Sequence, residues 1–259
     1  MFVRESGDGA GAPLVLIPGL GCDHTMYQPQ YAELDAFRCL AVDLRGTGKS
    51  GTLEGIAIVD IIPRQAAEVV EALDERGIES AHIVGVSYGG AVAQELLLRH
   101  PDRVCSVAIC DSLCDTRPRT MPERLLMWGA KTQPFLYRMP RGWLAAVVRR
   151  SYLRWPVAGR AMADAVSTAR RDDLIAQRRA INAIRYEDEL REASCPALCM
   201  VGDHAPQAIA MMHRVHDAIA GSEFHVIADA FDPSNLCQPD AFTAKLRRWV
   251  DAVERNRRA

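Results

Sequence analysis

The sequence predicts an α/β protein: a mostly parallel open sheet with helices on both faces and one inserted helical cap. Three observations lead there. Short apolar runs recur at 14–17, 39–42, 82–86, 104–110, 198–201 and 224–227. Most are near-continuous, as expected of parallel strands covered on both faces. Helical patterns lie between them, among them 64–76 and 88–100, the second stopped by Pro101. Strands alternating with helices imply βαβ units. The third observation is a break in that rhythm. From 116 to 191 there is no strand pattern, only helical patterns interrupted by Pro118, Pro122, Pro134, Pro140 and Pro156. The chain therefore divides into a core of 1–115 and 192–259 and a cap of 116–191. The cap is expected over the C-terminal edge of the sheet, where open α/β folds bind ligands.

Composition narrows the function. The 259 residues suffice for one sizeable core, and 49% apolar with 25% charged residues is ordinary for a globular protein. A formal charge of −2 gives no reason to expect a nucleic-acid partner. No apolar run approaches the ~18 residues of a membrane span, so no membrane partner is expected. Met1-Phe2-Val3-Arg4-Glu5 has no apolar signal run, which points to the cytoplasm. Eight cysteines include no CxxC pair. Cys105, Cys110 and Cys199 sit in apolar runs as small core residues, and no metal site is expected.

The strongest motif is Gly85-Val86-Ser87-Tyr88-Gly89, a G-x-S-x-G between a strand and a helix. Ser87 would sit on a strained strand-to-helix turn, with the two glycines leaving room for the backbone. The Tyr88 amide opens the helix and can donate to a developing oxyanion. Upstream, Pro18-Gly19-Leu20-Gly21-Cys22 follows the first core strand, and the Leu20 amide can face the same pocket. Cys22 reads as a small packed residue.

These motifs, in this order, resemble the α/β-hydrolase family nearly end to end. Asp43-Leu44-Arg45-Gly46-Thr47-Gly48-Lys49-Ser50, His100-Pro101-Asp102-Arg103-Val104 and Gln238-Pro239-Asp240-Ala241-Phe242 add to the likeness. It is nearest to small capped esterases and enol-lactonases. The resemblance implies Ser87 as nucleophile, Leu20 and Tyr88 as oxyanion donors, no cofactor, and an ester, lactone or C–C bond substrate.

It also implies an acid after the next-to-last strand and a histidine after the last. Both positions depart from the pattern. The acid position falls on Ala205, with Asp203 a displaced substitute. The histidine position falls on Asp232, so a carboxylate of ordinary pKa ~4 replaces an imidazole of ~6.5. His204 is the best placed histidine to rescue the serine, and His24 a weaker one. Losing a triad member costs on the order of 10⁴–10⁶ in rate. The expectation is weak hydrolysis, or acid/base chemistry of a cyclase, isomerase or lyase kind run by Asp232. A catalytically inactive small-molecule binder is the alternative.

The 116–191 segment carries 16 basic against 7 acidic side chains. A basic lid could draw in an anionic substrate, although solvated helix faces would look the same. Met127, Trp128, Phe135, Tyr137 and Trp143 are expected to form the core of the cap.

Overall fold

The computed structural model describes residues 1–9 and 12–258. Seven strands form one sheet: β1 Phe2–Ser6, β2 Leu14–Ile17, β3 Cys39–Asp43, β4 Ala81–Val86, β5 Val104–Cys110, β6 Ala197–Gly202 and β7 Glu223–Ile227. Their order is β1-β3-β2-β4-β5-β6-β7. All neighbours run parallel except β1, which pairs antiparallel with β3 along the edge, Phe2 opposite Asp43. All six strands expected from apolar runs are present. The seventh, β1, escapes that criterion because FVRES is a half-buried edge strand and not an apolar run.

Two apolar layers cover the sheet. On one face Val15, Ile17, Val42 and Ile83 pack against α1 (Ile61–Asp74), α2 (Tyr88–Arg99) and the later α8 (Pro206–Ala218). On the other, Leu14, Leu16, Val84 and Ala108 meet Phe242, Leu246, Trp249 and Val250 of α10 (Pro239–Arg258), which follows the short α9 (Ser234–Cys237). Successive strand residues alternate between these layers, as a pleated strand requires.

Between β5 and β6 lie α3 (Met121–Leu136), α4 (Arg141–Ser151), α5 (Pro156–Thr168), α6 (Arg171–Ile181) and α7 (Glu187–Leu190). Pro122 and Pro156 occupy first turns, where their missing amides cost nothing. Pro134 does not break α3, contrary to the sequence expectation. It frees the Ala130 carbonyl from its helical partner, and Asn182 Nδ2 donates to that oxygen at 3.2 Å instead.

These helices rest on loops that follow β2, β3 and β7. Arg170 Nη2 donates to Ser50 O at 3.0 Å, the Leu53 amide donates to Asp173 Oδ1 at 2.9 Å, and Trp155 Nε1 donates to Asp229 O at 2.8 Å. The insertion therefore sits at the C-terminal edge of the sheet. A buried charge cluster fastens its far end to α8: Arg214 donates to Glu187 Oε2 through Nε at 3.0 Å and Nη2 at 2.6 Å. Arg119 pairs with the same carboxylate.

The aromatic expectation fails for three residues. Trp128 is 65% exposed, Phe135 70% and Trp143 47%, while Met127 is buried. The inner face of α3 is made instead of Met127 and Ala130 against Met211 and Leu113.

Removing the arginine of the buried cluster would leave Glu187 with only the exposed Arg119 and Arg191 as partners. Arg214→Met is expected to cost about 3–5 kcal/mol. The check is chemical denaturation, with loss of the insertion's packing visible in near-ultraviolet circular dichroism.

Candidate functional site

Ser87 caps α2 at φ 55° and ψ −114°, a left-handed backbone that a non-glycine residue holds only under constraint. The constraint is visible in its neighbours. The Ser87 amide donates to Cys110 O at 2.7 Å. A Cβ on Gly85 would lie 2.2 Å from Gly89 O, and one on Gly89 would lie 2.2 Å from Ile17 O. Both motif glycines are thus fixed by close backbone approach. A Cβ built on Gly19 would lie 3.5 Å from the Ser87 Cβ, so the 18–22 loop passes directly beside the serine. The Leu20 amide has no acceptor among the described residues. Tyr88 opens α2, so its amide has no helical acceptor either. The Tyr88 ring is buried, with its hydroxyl donating to Gln65 Oε1 at 2.7 Å.

The Ser87 hydroxyl donates to Asp232 Oδ2 at 3.0 Å. Of the seven histidines in the sequence, none hydrogen-bonds Ser87 among the described residues. His204 Nε2 instead pairs with Asp229 Oδ1 at 3.1 Å, and its ring lies edge-on to Trp155 at 4.9 Å. Asp203 Oδ1 accepts the Ala230 amide at 3.2 Å. Asp203 and His204, expected as stand-in acid and base, are therefore spent on the 229–230 loop. Ala205 is the residue preceding α8. His24 Nδ1 is held by Asp43 Oδ1 at 2.7 Å, where Asp43 also takes the His24 and Lys49 amides. With Asp23 this is a group of possible metal donors, but the Asp43 oxygens are already committed to those three partners.

A second carboxyl, Asp111, belongs to the site. It stands directly after β5 at φ 50°. Its Oδ1 accepts the Gly202 amide at 3.0 Å and its Oδ2 the Ser234 amide at 2.7 Å. Burial pushes the Asp111 carboxyl up to about 6, against these hydrogen bonds, which lower it. Asp232 is pushed up to about 7, first by burial and then by the charge of Asp111, while the Ser87 hydroxyl and Arg178 oppose the rise. Sequence reasoning missed Asp111 because the acid was sought only after β6. Its signal was an aspartate at the end of the apolar run 104–110, on the sheet edge where ligands bind.

Tyr152, just after α4, donates its hydroxyl to the Asp232 carbonyl, and its ring lies 5.8 Å from Phe231. Arg178 of α6 lies close enough to Asp232 and Tyr137 for their charges to act on it, and burial lowers its pKa. Its Nε is buried without a partner, and no carboxylate pairs with the guanidinium among the described residues. The Cys22 thiol is pushed up to about 12 by burial and by the carboxylates of Asp23 and Asp232, so it stays protonated.

A strained serine between the fourth strand and the helix that follows it, with tight glycines on both sides, is the turn expected of a nucleophile elbow. The alpha/beta hydrolase family model matches residues 14–230, and this chain belongs to that family. Within it, the chain is 25% identical over 98% of its length to 3-oxoadipate enol-lactonase 1 of Acinetobacter baylyi, covering 94% of that protein. It is 28% identical to the putative carbamate hydrolase RutD of Escherichia coli O157:H7, covering 96% of each chain. Among solved structures, the enol-lactonase from Burkholderia xenovorans LB400 superposes with a TM-score of 0.79 at 28% identity, covering 96% of each chain.

Two outcomes are expected of substitutions at Asp232. A histidine there would stand beside Ser87 and near enough to Asp111 to feel its charge. Asp232→His is expected to raise fluorophosphonate labelling of Ser87 by on the order of 10² or more, measured by intact mass over time. Asp232→Asn tests the proton. A carboxyl whose folded pKa is raised contributes stability below its unfolded pKa of ~3.9 and loses it as pH rises through about 7. The Asn variant is therefore expected to melt above the unsubstituted protein at pH ~8, with the gap closing toward pH ~5. Melting temperatures across that range check it.

Proposed function

We propose that this protein is an enzyme acting on a small organic carbonyl compound, in a pocket centred on Ser87 and capped by the inserted helices. Asp232 moves the proton, and no acyl-serine forms. The hydrogen bond from Ser87 to Asp232 at 3.0 Å carries this reading. With the carboxyl pushed up to about 7, Asp232 is as strong a base as an imidazole of ~6.5 and can give or take a proton near neutral pH.

In this reading the substrate carbonyl oxygen lies against the Leu20 and Tyr88 amides. The Asp232 carboxylate removes a proton from the adjacent carbon, and the amides hold the resulting enolate. Return of the proton to another carbon gives isomerisation. Expulsion of a β-leaving group gives elimination, and attack on an internal electrophile gives cyclisation. Ser87 donates a hydrogen bond to whichever oxygen of the pair is negative. The unpaired buried Nε of Arg178 and the excess of basic residues in the insertion support a substrate that carries a carboxylate.

Hydrolysis is the second reading, favoured by relatives that bear the names enol-lactonase and carbamate hydrolase. Small 3-oxo acids and lactones incubated with the protein in deuterated buffer separate the readings. Exchange of the α-proton, followed by NMR, is expected to rise with pH to a plateau above ~7 and to fall at least ~10²-fold in Asp232→Asn. Rapid fluorophosphonate labelling of Ser87 in the unsubstituted protein would restore hydrolysis. Binding of these compounds without exchange or turnover would make the protein a binder.

A further inference from the structure

The outer surface of the insertion is unlike the rest of the molecule. Of thirteen large apolar side chains that stand exposed, eleven lie between Met121 and Val157. On α3 they are ordered. Met121 (69% exposed), Leu125 (69%), Trp128 (65%), Phe135 (70%) and Met139 just beyond the helix follow the spacing of one helical face. That face points to solvent, while Met127 and Ala130 point inward. The stripe runs along a helix ~24 Å long. Trp143 and Val147 of α4 and Leu153 are exposed as well.

Charge on this surface has one sign. Residues 121–160 hold eight basic side chains, Arg124, Lys131 and Arg138 among them, and one acidic, Glu123. All eight basic residues are exposed and Glu123 is buried. Arg124, Lys131 and Arg138 recur every seven residues beside the apolar stripe and form no ion pair among the described residues.

We propose that the outer face of α3 and α4 docks this protein on the surface of an anionic phospholipid bilayer. Tryptophan, phenylalanine and leucine flanked by arginine and lysine, on a helix that lies flat, are the composition of an interfacial helix. The cations meet lipid phosphates while the rings enter the headgroup boundary. The opposite sign of the surface selects this occupant over a second copy of the chain. A symmetric dimer through this face would bring like charges together. No helix among the described residues is long and apolar enough to cross a membrane, and that absence concerns spanning, not surface attachment. The expectation of no membrane partner rested on spanning alone.

Sucrose-loaded vesicles test it. The full-length protein is expected to sediment with vesicles of equal parts phosphatidylglycerol and phosphatidylcholine at low salt, to be released at high salt, and to ignore pure phosphatidylcholine. Trp128 and Trp143 are exposed whereas Trp155 and Trp249 are buried, so vesicle addition is expected to shift tryptophan emission to the blue. Trp128→Ala with Phe135→Ala, and separately Arg124→Ser with Lys131→Ser and Arg138→Ser, are each expected to weaken partitioning by roughly tenfold or more. These side chains are exposed, so both variants should keep the parent's melting temperature. Protein left in the supernatant with the anionic vesicles, equal binding to both vesicle types, or unchanged binding of both variants would overturn the proposal. So would a dimer in sedimentation velocity that Trp128→Ala with Phe135→Ala dissolves, since that would assign the face to a second copy.

Discussion

The Asp111 carboxylate is the interaction on which the site depends. It stands at the end of β5, takes the Gly202 amide at the end of β6 and takes the Ser234 amide at the start of α9. Three segments distant in sequence thereby meet at one anion. The third carries Asp232, two residues before Ser234, and so the carboxyl that faces Ser87 is positioned from the sheet and not by its own loop alone. Gln30 and Asn235 brace the same loop, Gln30 Nε2 donating to Asn235 O at 2.9 Å. A carboxylate given two amide donors is well held, yet burying it beside a second carboxyl raises the proton affinity of that second group. Asp111 thus helps to position Asp232 and adds to a proton affinity that burial raises first.

The strain at Ser87 belongs to the same arrangement. A left-handed φ at a serine costs of order 1–3 kcal/mol unless its surroundings over-determine it. Here they do: its amide is tied to Cys110 O, one residue before Asp111, and the glycines on either side admit backbone at distances no side chain could share. The hydroxyl is thereby directed out of the sheet edge toward the loop after β7. The inserted helices close over that edge through Tyr152, Trp155 and Arg170, each donating to loop backbone from the insertion side.

Much of this was legible in the sequence, and the physical reason is periodicity. Parallel strands covered on both faces must be apolar throughout, so the five inner strands announce themselves; of the two half-exposed edge strands, β7 still carries Phe224, Val226 and Ile227, whereas β1 carries no such run. The serine and its glycines were legible because the turn demands small residues at fixed spacing. Asp232 stood out because it falls at a fixed offset before α9 and α10, and the structure brings its Oδ2 to 3.0 Å from the Ser87 hydroxyl. Asp111 was not, because an aspartate after a strand has no spacing signature and reveals itself only when β6 and residue 234 come beside it. The outward aromatics of α3 were also illegible. A helical stripe of Met, Leu, Trp and Phe reads identically whether it faces a core or solvent, and only the small inner surface of α3 decides between them.

A carboxyl serving where a serine triad uses an imidazole would change charge more than basicity. At an ordinary pKa of ~4 an aspartate would be a poor base for a serine hydroxyl, but at about 7 that objection disappears. What remains is the state after proton transfer. An imidazole that accepts a proton becomes a cation beside the new oxyanion, and that attraction is part of how a serine triad stabilises its tetrahedral intermediate. A carboxylate that accepts a proton becomes neutral, so in the proposed site an oxyanion would face only the Leu20 and Tyr88 amides, with the Asp111 charge behind. A localised alkoxide is served badly by such surroundings. An enolate spreads its charge over carbon and oxygen and asks less of them. In the proposed reaction the same two carboxyls that would hinder acyl transfer remain suited to moving a proton on carbon, and the neutral Asp232 left behind would be the acid that returns it.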